Sequence, residues 1–375
     1  MEAGVKMKYR VILIEQNEDM LLKLSSVIKS SQQFNLVATY HDVKSALGQG
    51  SMFQPDLFLI DMEHSETPEL ISRFAVIFPQ ASILGTLNKW NADIADRALK
   101  EGMQGCLLKP FSVADIFNTL KLYQQRGKAE PPRVMAFFSP KGRSGRTTLA
   151  SIMAIELANK SGESVALIDA DLQFGDLPIF FDVSPKHTIV EASHDINLLT
   201  PEGLLPYFEP LYDEKFCLLS SPIRPEYAEL IEVEKLKDVV RMSGQLFRYV
   251  LVDLPSGFNP VSVSLCEQAD TNFLVAMLNS GQEIEHMKRS MRLFETWERY
   301  GKKVYTVFTR VSPCNEEGKQ NLEQDFGRPV SKILPNEYIL SNITASGRLL
   351  KDLPDGSKFV ECVKSIADDI VQGKR

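Results

Sequence analysis

The segment that most constrains the fold is an apolar run, followed by a short polar loop and then a helical pattern. The apolar run is Val134–Phe138, the loop extends from Ser139 to Gly145, and helical spacing continues from Thr147 to about Asn159. A strand, a glycine-containing loop and a helix in this order are typical of phosphate-binding loops, because backbone N–H groups and the helix N-terminus converge on one anion. Glycine lets the backbone approach that anion closely, since it has no Cβ. The sequence therefore predicts an α/β domain with an anion site at this turn.

The loop departs from the common phosphate-binding pattern G-x-x-x-x-G-K-[ST] at two positions. Pro140 stands where the first glycine belongs, and Arg146 stands where the lysine belongs. The loop resembles instead the deviant form of the MinD/ParA family, which reads K-G-G-x-G-K-[ST]-[ST]. It matches that form at Lys141, Gly142, Gly145, Thr147 and Thr148. The alternative interpretation is a strand-to-helix turn that binds no ligand.

The MinD/ParA resemblance implies ATP and Mg²⁺ as ligands and an ATP-linked homodimer as the working form. Lys141 falls on the signature lysine that reaches into the other subunit, so the resemblance makes it a catalytic candidate. Thr147 falls on the residue whose hydroxyl binds Mg²⁺. The nucleotide-binding residues that the resemblance implies are Lys141, Gly142, Arg143, Ser144, Gly145, Arg146, Thr147 and Thr148.

Two later strands end in aspartates that extend the resemblance. The strand beginning at Val165 leads to Asp169 and Asp171, and the run Asp171–Asp176 is similar to the D-L-x-F/L-G-D run of the TadZ/CpaE branch. The family residue at Asp171 helps to orient the attacking water, which makes Asp171 the second catalytic candidate. The apolar strand ending at Asp253 resembles a Walker B segment, and Asp253 is predicted to bind the Mg²⁺ water shell. The alternative for the D-x-D aspartates is that they only cap a strand and a loop.

The arginine at position 146 bears directly on catalysis. A guanidinium is planar and permanently charged and suits phosphate oxygens, but it is bulkier than an ammonium group. Because phosphoryl transfer depends on close placement of charge, nucleotide binding can survive this replacement while hydrolysis slows or stops. Arg143 adds a further charge to the loop, and Thr309 stands where family members often carry the asparagine that contacts adenine.

The first 125 residues alternate apolar strand-like runs with helical patterns. Five βα units with short connections predict a flavodoxin-like, doubly wound sheet, with strands at 11–14, 35–39, 56–60, 81–85 and 105–108. In that fold active groups follow the carboxyl ends of strands, and four polar residues fall there: Glu15, Asp61, Thr86 and Lys109. This pattern resembles the receiver domain of response regulators, with Asp61 at the phosphoacceptor position.

The receiver resemblance leaves two interpretations open. The acidic pair that binds Mg²⁺ in that family is reduced to Glu15-Gln16, and the loss of one carboxylate weakens such a site. In one interpretation Asp61 is phosphorylated and switches the domain. In the other, which we favour, the domain is a degenerate receiver that serves as a docking or dimerisation surface.

Composition excludes several classes of protein. The net charge of −7 gives no general affinity for nucleic acid, so a DNA partner is not favoured. The five scattered cysteines form no C-x-x-C pair and fit reduced thiols in a cytosol. No run reaches the ~18 apolar residues that a membrane-spanning helix needs. The C-terminal helix candidate, Lys358 to Arg375, carries acidic residues and is predicted to pack rather than to enter a membrane.

Together these patterns predict two doubly wound α/β domains. We expect a receiver-like domain at 1–125, a linker at 126–133, and a MinD/ParA-like P-loop domain with a mainly parallel sheet at 134–375. Within the last domain, helical spacing predicts a long helix at about 282–300, and residues 330–334 resemble the last strand of the family. This order resembles TadZ/CpaE proteins, which implies a cytoplasmic localisation factor for a Flp/Tad-type pilus. Its partners would be pilus or secretion assembly proteins, including a secretion ATPase, which would hold it at a cell pole or near the inner membrane. Two alternatives remain: a nucleotide-independent scaffold, or a phosphorylation-responsive regulator with an ATPase output.

Overall fold

The computed structural model describes residues 8–63, 67–126, 132–212, 215–297 and 304–374. The chain divides into two compact units, one formed by Met1–Ala129 with Asp195–Gly203 and the other by Glu130–His194 with Leu204–Arg375. The predicted α/β class is confirmed, because each unit is built on a parallel sheet flanked by helices. Most of the predicted linker lies outside the described residues.

The first unit contains a five-stranded parallel sheet in the order β2-β1-β3-β4-β5. This is the flavodoxin-like order, in which ligand sites form where the strand order reverses. The central strand β3 is buried at every position, as expected for a strand covered on both faces. Its elements are β1 (Tyr9–Ile14), α1 (Glu18–Lys29), β2 (Phe34–Tyr40), α2 (Val43–Gln49), β3 (Leu57–Asp61), α3 (Thr67–Ile77), β4 (Ser82–Leu87), α4 (Ala92–Lys100), β5 (Gly105–Leu108) and α5 (Val113–Arg126).

The second unit contains an eight-stranded sheet in the order β13-β12-β11-β6-β10-β7-β9-β8. All neighbouring strands are parallel except β8 and β9, which form an antiparallel pair at one edge. The sheet is therefore mainly parallel, as predicted. Its strands are β6 (Arg133–Phe138), β7 (Val165–Asp169), β8 (Glu209–Tyr212), β9 (Phe216–Leu219), β10 (Tyr249–Asp253), β11 (Thr271–Met277), β12 (Val304–Thr309) and β13 (Lys332–Ile333).

The helices along this part of the chain are α6 (Arg146–Ser161), α7 (Leu177–Phe180), α8 (Ile189–Asp195), α9 (Pro201–Leu204), α10 (Val233–Leu246), α11 (Pro260–Gln268), α12 (Gly281–Phe294), α13 (Glu316–Phe326), α14 (Tyr338–Ala345) and α15 (Lys358–Val371). Helix α6 follows the phosphate-loop candidate and is buried along most of its length. That burial fixes the loop at its N-terminus against the sheet.

The C-terminal helix α15 packs against α6. Its apolar residues Phe359, Val363 and Ile366 belong to the same buried cluster as Leu149 and Met153 of α6. The apolar face that membrane insertion would require is therefore part of the core. Across the described ranges, no helix is both long and apolar enough to cross a membrane.

Several predicted boundaries were wrong. The long helix expected over 282–300 ends at Phe294, because the next residues form a turn in which the Trp297 amide donates to the Phe294 carbonyl. Residues 298–300 of that prediction lie outside the described residues. The last strand, predicted at 330–334, has only two residues in the ladder. Thr86 lies inside β4 rather than after it, since pairing with β5 continues to Leu87.

Candidate functional site

The phosphate-loop candidate joins β6 to α6 as predicted. Gly145 precedes the helix with φ 80°, a left-handed conformation that favours glycine. Arg143 also has positive φ, 63°, at the position where the MinD/ParA pattern has glycine. The backbone thus keeps the left-handed shape of the glycine-rich loop although a side chain is present, and such a conformation costs roughly 1–2 kcal/mol.

Three aspartates meet the loop at the carboxyl edge of the sheet. Asp169 ends β7 and Asp253 ends β10, and the two are paired neighbours in the parallel ladder. Asp171 lies two residues beyond β7. Because parallel strands deliver their carboxyl ends to one edge, these acids lie beside the start of α6.

Arg146 turns inward to these acids. Its Nε donates to Oδ1 of Asp253 at 2.6 Å, and its Nη2 donates to Oδ2 of Asp253 at 3.4 Å. The same Nη2 lies 3.5 Å from Oδ2 of Asp171. Thr147 completes the contact, since its hydroxyl donates to Oδ2 of Asp253 at 2.7 Å. The residue in the Walker A lysine position is therefore ion-paired with the residue in the Walker B position.

Burial and charge set the ionisation of this cluster. Burial raises the pKa of Asp169 well above its usual value, and repulsion from Asp253 adds to that rise. Burial also raises the pKa of Asp253, against the opposing attraction of Arg146. For Arg146 burial acts to lower the pKa, but Asp253 outweighs it and the pKa is raised. Arginine stays charged, so the cluster holds a fixed internal cation.

An open pocket of about 320 Å³ lies over the loop. Its walls are Gly142, Arg143, Ser144, Gly145, Arg146, Thr147, Thr148, Asp171, Asp176, Phe180, Ser256 and Arg310. Seven of the eight predicted nucleotide-binding residues thus line one pocket together with Asp171. Lys141 is exposed and is not among the described residues that line it.

Sequence reasoning missed Arg310 as a site residue. Arg310 follows β12 with φ 57°, which directs the chain back over the loop, and it lines the pocket. Thr309 just before it donates its hydroxyl to the Ser144 carbonyl at 2.7 Å. The end of β12 therefore supports the loop. The only available signal was position: both residues follow a buried strand at the functional edge of the sheet.

The four candidates of the first unit also lie at one sheet edge. Nζ of Lys109 donates to Oε2 of Glu15 at 2.9 Å and to Oδ1 of Asp61 at 3.0 Å. Burial acts to lower the pKa of Lys109, but the two carboxylates reverse this and raise it. Thr86 is fully buried in the adjacent strand, and its Oγ1 has no hydrogen-bond partner among the described residues.

Comparison with known proteins places the second unit in a family. Residues 135–350, more than half of the chain, match the model of the CobQ/CobB/MinD/ParA nucleotide binding domain. The chain belongs to this family. This match and the shared fold of the solved structures below confirm the predicted MinD/ParA-like domain.

Three similar proteins illustrate the relationship. A ParA family ATPase from Chlorobium tepidum shares the fold with a TM-score of 0.58 and 21% identity, covering 64% of this chain and 99% of that one. MinD of Pyrococcus horikoshii, solved with Mg-ADP, gives a TM-score of 0.54 at 17% identity, covering 64% and 96%. An uncharacterized ATP-binding protein of Methanocaldococcus jannaschii is 23% identical over 246 residues, 64% of this chain and 88% of its own. The two structures show the fold alone.

The pocket of this MinD/ParA domain suits phosphate groups but does not suit Mg²⁺. The loop backbone, the N-terminus of α6 and the arginines at 143 and 310 all present positive charge or N–H donors. At the metal position both oxygens of Asp253 are already engaged by Arg146 and Thr147. Within the described ranges, no group of three His, Cys, Asp or Glu side chains is arranged to hold a metal ion.

Proposed function

We propose that this chain is a nucleotide-binding, dimerising localisation factor with weak or absent hydrolysis. The observation that carries the proposal is the ion pair of Arg146 with Asp253, within a loop that has two left-handed residues and lines an open pocket. The backbone donors of the loop, with Arg143 and Arg310, would hold the phosphates of ATP. Binding can therefore persist where catalysis is impaired.

Slow hydrolysis follows from what Asp171 and Arg146 contact. Asp171 is proposed to orient the attacking water, but its carboxylate is ion-paired with Arg146 at 3.5 Å. Arg146 in turn directs its donors to the aspartates instead of the pocket. A positive group stabilises a transition state when it faces the atoms on which negative charge develops. Here the guanidinium of Arg146 faces the aspartates instead. ATP would then act mainly as a ligand that links subunits.

Lys141 is the proposed contact between subunits. Its side chain is exposed and lies outside the pocket wall of its own chain. An exposed lysine beside the loop is free to reach phosphates bound by a second copy. The proposed dimer would therefore depend on both nucleotide and Lys141.

The biological role we propose is assembly of a Flp/Tad-type pilus or secretion machine. It is supported by the order of a receiver-like unit before a MinD/ParA unit and by the run Asp171–Asp176. The partners would include a secretion ATPase, and they would hold the protein at its cellular site. Deletion of the gene should abolish surface pili, and the wild-type gene should restore them. Normal piliation in the deletion strain would contradict this role.

Calorimetry with ATP and ADP, combined with light scattering, tests nucleotide binding and dimerisation. We expect ATP binding and ATP-linked dimers, with dimers lost in Lys141→Ala but retained in Lys186→Ala, an exposed lysine of the same unit. Phosphate release should stay near the buffer rate. An absence of binding at millimolar nucleotide, with an unchanged oligomeric state, would instead establish the nucleotide-independent scaffold.

For the first unit we propose a docking or dimerisation surface. Lys109 is ion-paired with both Glu15 and Asp61, and all three are buried, which gives the cluster a structural role. Acyl phosphate labelling of wild type against Asp61→Asn tests the competing regulator hypothesis. A label that requires Asp61 would replace our proposal with phosphorylation control.

A further inference from the structure

Asp253, the carboxylate predicted to bind a divalent cation, is already bonded to other side chains. Asp253 is almost fully buried, and its Oδ1 accepts from Nε of Arg146 at 2.6 Å. Its Oδ2 accepts from the Thr147 hydroxyl at 2.7 Å and from Nη2 of Arg146 at 3.4 Å. Mg²⁺ needs oxygen ligands in near-octahedral geometry, usually with one or two carboxylates. Here the Asp253 carboxylate is bonded both to the Thr147 hydroxyl and to the Arg146 guanidinium.

We propose that Arg146 is the resident cation of the site, so that the nucleotide binds as the metal-free anion. This inference rests on the proposed nucleotide-binding function and deepens it by naming the form of the ligand. A permanently charged guanidinium bonded to Asp253 and close to Asp171 supplies the positive charge that Mg²⁺ would otherwise bring. A dication added beside it would meet that charge at close range, where both oxygens of Asp253 are already bonded.

Charge for the phosphates is supplied by other parts of the pocket. Arg143 and Arg310 line it, and both are largely exposed, so their guanidiniums can turn to a ligand. Arginine binds phosphate oxygens through paired N–H donors and needs no metal bridge. The loop backbone and the start of α6 add N–H donors at the base of the pocket. The ligand class is therefore a metal-free nucleoside diphosphate or triphosphate.

Arginine at position 146 is what separates this site from one with lysine. A lysine has one compact ammonium group and cannot span Asp253 and Asp171 with a fork of donors. Arg146→Lys should therefore release part of the carboxylate cluster and create a place for Mg²⁺. Arg224→Lys makes the same chemical change at an exposed arginine of the same unit, which is not among the described residues that line the pocket. It is the matched control.

Calorimetric titration with ATP, in excess Mg²⁺ and in excess EDTA, tests the proposal. Wild type should bind ATP at least as tightly in EDTA as in Mg²⁺, and Arg224→Lys should behave in the same way. Arg146→Lys should bind at least about tenfold more tightly in Mg²⁺ than in EDTA. Far-UV circular dichroism and urea midpoints would check that both variants fold.

The outcomes separate this inference from the function on which it rests. Binding by wild type that weakens about tenfold or more in EDTA would overturn the metal-free inference and leave the nucleotide-binding proposal standing. Failure to bind in both buffers would overturn the nucleotide-binding proposal itself.

A second measurement uses wild type alone, and so does not depend on a variant that folds. Protein saturated with ADP in the presence of Mn²⁺ would be recovered by rapid gel filtration, and its Mn²⁺ content measured by electron paramagnetic resonance. We expect nucleotide to be retained without Mn²⁺. Retention of one Mn²⁺ per nucleotide would overturn the inference.

Discussion

Each unit places a buried cation among carboxylates at the carboxyl edge of its sheet, but the two cations come from different places. In the first unit Lys109 follows β5 and lies 2.9 Å from Glu15 and 3.0 Å from Asp61. In the second unit Arg146 begins helix α6 and lies 2.6 Å from Asp253. The lysine cluster joins strands of one sheet, whereas the arginine cluster joins the loop to the sheet.

This difference separates a structural cluster from one that controls a site. The side chains of Lys109, Glu15 and Asp61 are only 2%, 1% and 6% exposed, so the cluster is closed to solvent. Arg146 and Asp171 line an open pocket, and the Asp171 side chain is 22% exposed. A ligand can therefore act on the second cluster more readily than on the first. The two units also carry one tryptophan each, Trp90 and Trp297, which allows their unfolding to be followed separately.

The largest effect is expected from Lys109→Met. The substitution leaves Glu15 and Asp61 buried without their shared cation, and breaking such a pair typically costs about 3–5 kcal/mol. Urea unfolding read from Trp90 in a Trp297→Phe background should show this loss in the first unit. The triple variant Glu15→Gln, Asp61→Asn, Lys109→Met is the control, because it removes all three charges and should recover most of the stability. A loss below about 1 kcal/mol would mean that the cluster behaves like a surface pair.

Arg146→Met should have a smaller effect in the second unit. It leaves Asp253 buried without its counter-charge, but water from the pocket can reach Asp171. We therefore expect the free energy of unfolding to fall by about 3 kcal/mol. Trp297 fluorescence in a Trp90→Phe background would report it. Mg²⁺ should restore part of the stability in this variant and none in wild type.

The matched control for Arg146→Met lies on the same helix. Lys160 of α6 pairs with Asp368 at the surface, so Lys160→Met should cost less than about 1 kcal/mol. Equal losses in the two variants would show that the buried pair of Arg146 is no stronger than a surface pair. That result would remove the contrast between the clusters.

Asp169→Asn tests the ionisation of the second cluster through pH. A carboxyl with a raised pKa in the folded state adds stability below its unfolded pKa of about 3.9, and this is lost as pH rises through the folded value. The two carboxyl oxygens accept from the amides of Asp171 and Leu177, and asparagine replaces one of these oxygens with an NH₂ group that cannot accept, so the variant should be about 1–2 kcal/mol less stable near pH 4.

The deficit of Asp169→Asn should shrink as pH rises, because only wild type then has to ionise a carboxyl beside Asp253 and Asp171. Arg146 also faces the group and keeps its charge over the whole range. Urea unfolding of both proteins at a series of pH values would measure the difference. A difference independent of pH would contradict the buried, proton-retaining state of Asp169.

The sequence predicted the strands better than the chemistry at their ends. Buried parallel strands are continuous apolar runs, which made β3 and β10 easy to place, and β5 was placed without error. The D-x-D and Walker B aspartates were placed correctly beside the loop, because parallel strands share one functional edge. The length of β13 was overestimated: only two of its residues pair with β12, because the length of a strand depends on its partner and not on its own apolar content.

The inward direction of Arg146 could not be predicted, because it depends on which partner competes for the guanidinium. From the sequence, we expected the guanidinium to face the phosphates of a ligand. In the folded protein Oδ1 of Asp253 lies 2.6 Å from Nε of Arg146, so the guanidinium binds the aspartate. Arg310 was missed for a related reason: its place over the pocket follows from a left-handed backbone after β12, which no residue pattern indicates.

The smallest effect is expected from Thr309→Val, which tests the hydrogen bond between the end of β12 and the loop. Thr309 is buried and donates to the Ser144 carbonyl at 2.7 Å, a bond that valine of similar shape cannot make. Loss of one buried hydrogen bond should lower the unfolding free energy by about 1–1.5 kcal/mol, read from Trp297 as above. Thr309→Ser keeps the hydroxyl and loses a methyl group, so it should retain more nucleotide affinity than Thr309→Val. If Thr309→Val bound nucleotide more tightly than Thr309→Ser, the methyl group of Thr309 and not its hydroxyl would support the loop. Arg146 would then be the principal polar contact between the loop and the sheet.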